Sequence, residues 1–164
     1  MPEEVRAALA AQGVVCLGQP AAGGKLSAPA LSFTVLTELA DFVLVEADGS
    51  RQLPMKAHLS HEPVIPPNAD QAILVVGACG FDRPIREVCH RPARFAALAQ
   101  AALSDPVTPE RLSRVLRSEA LADKVYVNQA ETPQALARAN ALAALLPCPV
   151  FAGSLQKGGI TCLY

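Results

Sequence analysis

The sequence predicts an α/β fold: a mainly parallel sheet with flanking helices. Short apolar runs recur along the chain, apolar throughout rather than alternating, as strands buried on both faces are. Helix-forming segments separate them, and two of these open with a threonine–proline pair, an N-cap followed by proline at the first helical position. At 164 residues, 51% hydrophobic and 18% charged, the chain suits one domain with a single sizeable core, read as residues 1–164.

The chain opens on a charged, helix-forming stretch, MPEEVRAALAAQ, without the pattern of a signal peptide. The first strand is expected at 14–17 (VVCL), with Cys16 as a small core residue. A phosphate cradle of the G-x-x-x-x-G-K-[ST] type needs backbone N–H groups around the phosphates and a hydroxyl for Mg²⁺. Gly18-Gln19-Pro20-Ala21-Ala22-Gly23-Gly24-Lys25-Leu26 fails that pattern: Gln19 replaces the first glycine, Leu26 replaces the hydroxyl, and Pro20 removes a donor. Gly23-Gly24-Lys25 therefore reads as a surface turn. A helix at 30–40 follows Pro29, and the second strand is expected at 42–45 (FVLV).

That strand runs directly into Glu46-Ala47-Asp48-Gly49-Ser50. Open α/β sheets build ligand sites at the carboxyl ends of their strands. A carboxylate there can help hold Mg²⁺, and a glycine can bring its N–H to a phosphate because no Cβ intervenes. Glu46 and Asp48 are thus candidate metal-shell residues and Gly49 a phosphate contact. The same residues also read as a strand end followed by a tight Asp-Gly turn. Residues 50–70 then break the rhythm, with Pro54, Pro63, Pro66 and Pro67 among Lys56, His58, His61 and Glu62. A loop this long, mixing apolar and charged residues, is expected to be ordered and functional.

Further strands are expected at 73–76, 125–127 and 150–152. A helix is expected at 93–103, where Phe95, Leu98, Ala99, Ala102 and Leu103 form an apolar stripe. Thr108-Pro109 and Thr132-Pro133 open two more, the second stopped by Pro147. Arg111, Arg114 and Arg117 share one helix face, which reads as solvated. Asn128-Gln129-Ala130-Glu131 follows the strand at 125–127, where many GTPases carry an asparagine–lysine–x–aspartate loop; there the acidic side chain accepts the guanine N–H groups. It also reads as an asparagine turn before a capped helix. Gly153-Ser154-Leu155 resembles the small-residue loop that closes over a base.

The net charge of −1 excludes a strongly basic nucleic-acid or anionic-membrane binder, and no apolar run approaches the ~20 residues of a membrane span. A cytoplasmic location is expected. Five cysteines, without a CxxC, argue for small core residues, and Cys79 and Cys89 are expected to be buried and inert. Cys89-His90 has no matching second pair of ligands, so no structural zinc is expected.

The segment DFVLVEADGSRQLPMKAHLSHEPVIP resembles the signature of the YqeC-type family of selenium-dependent hydroxylase accessory proteins. The likeness continues through ILVVG, His90-Arg91-Pro92, VYVNQAE and VFAGSLQKG. It implies a P-loop NTPase fold of the SIMIBI type, with the first β–P-loop–α unit missing here. It further implies Mg-bound GTP or ATP as cofactor, and a role in maturing molybdenum hydroxylases. The partners it implies are the hydroxylase or its cofactor-maturation proteins. By that resemblance Glu46, Asp48 and Gly49 face metal and phosphate, Asn128, Glu131 and Ser154 face the base, and Lys56, His61, Glu62 and His90 line a family pocket.

Three readings follow: a nucleotide-dependent accessory factor, a non-catalytic partner- or cofactor-binding module, and an inactive fragment of a P-loop NTPase. Without a Walker motif, hydrolysis is not expected. Loss of an interior strand would expose a sheet edge, so a homo-oligomer is expected.

Overall fold

The computed structural model describes residues 2–163, which fall into two compact units, one of residues 2–46 with 66–68, the other of residues 47–65 with 69–163.

In the first unit, helix α1 (Pro2–Gln12) carries Glu3 and Glu4 in its first turn, where carboxylates complement the helix dipole, and buries Val5. It packs against α2 (Phe33–Leu39), which buries Leu36. The Ser32 hydroxyl caps α2 by accepting from the Val35 N–H at 3.3 Å. Between the helices, β1 (Gln19–Ala21) and β2 (Lys25–Ser27) form an antiparallel hairpin. Its turn contains Gly23 and Gly24, at φ +73° and +71°, so this glycine–lysine stretch is the surface turn expected of it. Two expected strands are not formed. Residues 14–17 and 42–45 pair with nothing among the described residues, and Cys16 is exposed rather than in a core.

The second unit is a mixed α/β structure around a four-stranded sheet. Strands β4 (Ile73–Gly77), β6 (Lys124–Asn128) and β7 (Val150–Ser154) run parallel, in that spatial order. An antiparallel β8 (Gly159–Leu163) closes the far side. A second, two-residue parallel pair joins β3 (Met55–Lys56) to β5 (Cys89–His90). The helices are α3 (Ile85–Val88), α4 (Pro92–Ala99), α5 (Pro109–Glu119) and α6 (Pro133–Ala143). Thr108 and Thr132 cap α5 and α6 through their hydroxyls, with proline at the first helical position of each. Phe95, Leu112 and Leu142 from three helices meet Val125, Val127 and Val150 from the sheet in one buried core.

Helix α4 is shorter than the stripe at 93–103 predicts. Gln100 turns left-handed at φ +54°, its N–H bonds to the carbonyls of Ala96 and Ala97, and Ala102 and Leu103 fall outside the helix. The 3-10 turn Ala78–Gly80 leaves Cys79 exposed, against expectation, whereas Cys89 is buried and its thiol is pushed up to about 12 by burial.

Gly153 is required by the β7–β8 pairing. A Cβ there would sit 1.8 Å from the Gly159 carbonyl oxygen, a backbone atom that cannot move without breaking the ladder. Gly153→Ala is expected to lower unfolding free energy by about 1–3 kcal/mol in urea denaturation, as overpacking does. Gly159→Ala meets nothing within 4 Å and should be far milder.

Candidate functional site

The site is assembled where the 47–65 segment crosses the carboxyl end of the sheet. The Gly77 N–H, at the end of β4, donates to the Pro54 carbonyl at 2.9 Å. A side chain at Gly77 would meet Pro54 Cβ at 2.8 Å, so glycine is what lets the segment lie this close. Immediately beyond, β3 pairs with β5, which sets Lys56 beside His90 in register.

Lys56 is the centre of a buried ionic network. Its ammonium contacts the Asp48 carboxylate, donates to the Gly49 carbonyl at 2.8 Å and reaches Glu62 Oε2 at 3.0 Å. Glu62 Oε1 accepts from the Leu59 N–H at 3.1 Å and from the Arg91 guanidinium. His58 lies between two carboxylates. Its Nε2 is 3.0 Å from Asp48 Oδ2, and its Nδ1 is 2.8 Å from Glu119 Oε2 at the end of α5. Glu119 Oε1 also accepts from the His58 backbone N–H at 2.7 Å. A neutral imidazole can donate to one of these carboxylates; a ring carrying both protons donates to both.

The electrostatics follow from this packing. For Glu62, burial pushes the carboxyl up, but the Leu59 N–H, the Lys56 hydrogen bond and charge, and the Arg91 charge outweigh it and lower it to about 2. His90 is held below its ordinary value, first by burial and then by the positive charges of Arg91, Lys56 and Arg51.

A second cluster forms at the ends of β6 and β7. Ser154 donates to Glu131 Oε1 at 2.6 Å, Lys157 pairs with Glu131 Oε2, and Asn128 Oδ1 accepts from the Leu155 N–H at 3.1 Å. The bonds from Lys157 and Ser154 lower the Glu131 carboxyl.

The structure thus brings together Asp48, Gly49, Lys56 and Glu62, with His90 beside Lys56, and separately Asn128, Glu131 and Ser154. Glu46 and His61 are exposed and join neither cluster through any hydrogen bond or ion pair. His58, Arg91, Glu119 and Lys157 belong to the clusters but carried no role in the sequence reading. His58 and Arg91 stood inside the motifs quoted; Glu119 sits at an ordinary helix end with no local signal.

Of the two carboxylates expected to form a Mg²⁺ shell, Asp48 lies inside the network, its oxygens facing Lys56 and His58, while Glu46 stands exposed outside it. The Gly49 carbonyl accepts from Lys56. Glu119 additionally lines an apolar cavity of about 210 Å³ that contains none of the other network residues.

The family model for the YqeC protein matches residues 2–93. This chain belongs to the YqeC protein family. The uncharacterized protein YqeC of Escherichia coli (strain K12) is 42% identical to it over 57 residues, which are 34% of this chain and 22% of that relative. The match thus spans less than a quarter of that relative. No solved structure matches. The family match includes Asp48, Lys56, His58, Glu62 and Arg91 but ends before Glu119 and before the Asn128–Glu131–Ser154 cluster.

Two outcomes test the network. Glu62 has a depressed carboxyl, so its stabilisation is complete above the ordinary 4.5 and is lost as pH falls toward about 2. Chemical denaturation across that window should show wild-type stability falling more steeply than that of Glu62→Gln. Glu119→Ala leaves the His58 Nδ1 and backbone N–H without their acceptor and is expected to lose about 2 kcal/mol, with Glu119→Gln partly restoring it.

Proposed function

We propose that this YqeC-family chain is a non-hydrolysing accessory module in the maturation of molybdenum hydroxylases. Its 47–65 segment is a preformed surface for the hydroxylase or for a protein that handles its cofactor. The observation that carries this reading is the Asp48–Lys56–Glu62 network. Asp48, one of the two carboxylates that the sequence offers to a nucleotide-bound metal, is engaged by a lysine and a histidine of the same chain. The network holds the segment's interior face, while Arg51, Gln52, Ser60, His61 and Val64 point outward. A pre-ordered segment loses little conformational entropy when a partner binds. The partner class comes from the family resemblance, and the accessory role is proposed for a cytoplasmic protein; no helix among the described residues is long and apolar enough to cross a membrane.

A second reading keeps nucleotide binding and a P-loop NTPase (SIMIBI-like) ancestry. What favours it is the convergence of Asn128, Glu131 and Ser154 at the ends of adjacent parallel strands, the usual location of ligands in open α/β sheets. In that reading GTP or ATP would have to displace Lys157 from Glu131.

Calorimetric titration separates the two. Mg-GTP and Mg-ATP are expected to give no binding heat with this chain; micromolar binding that disappears in Asp48→Ala would sink the non-hydrolysing reading. Immobilised chain should retain a molybdenum hydroxylase encoded in the same genome, and Arg51→Glu combined with His61→Ala should weaken retention about tenfold without lowering the melting temperature. Unchanged retention would remove the segment from the interface.

A further inference from the structure

We infer that two copies of this chain associate by adding the 42–45 segment of each to the open β4 edge of the other. Strand β4 is hydrogen-bonded to β6 on one side and, among the described residues, to no strand on the other. Only its last residue is covered there, by the Gly77–Pro54 hydrogen bond. Residues 73–76 therefore present an edge with neither proline nor lysine, the features that ordinarily block strand addition. Ile73 and Val75, two residues apart and so on one face of the strand, are 57% and 56% exposed.

The same chain carries the complementary piece. Residues 42–45 (FVLV) have a strand's composition but no strand partner among the described residues. Phe42 and Leu44 are 87% and 95% exposed, again two residues apart. The two stretches are each four residues long and free of charge. Each supplies alternate large apolar side chains that need cover and backbone groups that need partners. Laid along β4, the segment would set Phe42 and Leu44 on one face beside Ile73 and Val75 while its N–H and C=O groups complete the edge. Exchange between two copies covers the open edge of each and closes the assembly, as exchange of an identical element does in swapped dimers. A second copy is favoured over a foreign strand because the chain itself supplies a segment matched in length, in alternation and in lack of charge.

Light scattering over a concentration series tests this. The expected result is a species of twice the chain mass. Leu44→Lys and Val75→Lys, both at exposed positions, should each weaken the dimer at least tenfold while leaving the melting temperature of the monomer unchanged. A peptide of residues 41–46 should compete and convert the dimer to a peptide-bound monomer. Mixed isotope-labelled and unlabelled chains, cross-linked between cysteines introduced at 44 and 75, should give links joining the two labels. A monomer at every concentration overturns the inference. So does a dimer indifferent to both lysine substitutions and to the peptide, or cross-links confined to one label.

Discussion

Lys56 and His58 are held out of water, and the conformation of the 47–65 segment depends on how that is compensated. A buried ammonium or a buried ring N–H without an acceptor is strongly unfavourable, so each needs a carboxylate within hydrogen-bond reach. Asp48 serves both, Glu62 serves Lys56, Glu119 serves His58, and Arg91 balances Glu62. The partners come from the segment itself, from the residue that precedes α4 and from the last turn of α5. One set of charges therefore ties three parts of the unit together. Buried ion pairs seldom surpass apolar packing in net stability, so the consequence here is geometric: the segment has one arrangement in which its charges are all satisfied.

That constraint also bears on function. An acidic strand end followed by glycine has the residue types of a metal and phosphate site, but chemistry depends on which lone pairs remain available. Asp48 directs its oxygens at Lys56 and His58, and Gly49 offers its carbonyl to the same lysine. In the cluster at the ends of β6 and β7, Glu131 is likewise engaged, by Ser154 and Lys157. What remains outward is the opposite surface of the segment, including Arg51 and His61. The YqeC family match covers the segment in full.

Much of the architecture was legible in the residues. Helices α5 and α6 announce themselves through threonine caps and proline, which act within a single turn. The parallel strands β6 and β7 are apolar runs packed into the core, and β4 has the same composition although Ile73 and Val75 leave one of its faces exposed. The runs at 14–17 and 42–45 have similar composition and form no strand, because a strand exists only through hydrogen bonds to a neighbour, which composition does not reveal. Strand β8 was missed: its residues are partly polar, and only Lys157-Gly158-Gly159 before it hints at a hairpin, with Gly158 at φ +77°. The two-residue strands β3 and β5 are too short for any periodicity to show.

The candidate site divides along the same line. The sequence by itself determined the α/β character, the positions of the long helices, and the concentration of acidic, basic and histidine side chains in residues 46–62, because these are local properties of composition and spacing. Tertiary structure decided which of them work together. It recruited His58 in place of His61, drew in Glu119 from a helix end distant in sequence, left Glu46 exposed and turned Asp48 toward a lysine and a histidine. The physical reason is that a charged group's role is set by what lies within about 3–4 Å of it. That neighbourhood is created by the Gly77–Pro54 approach and the β3–β5 pairing, not by its position along the chain.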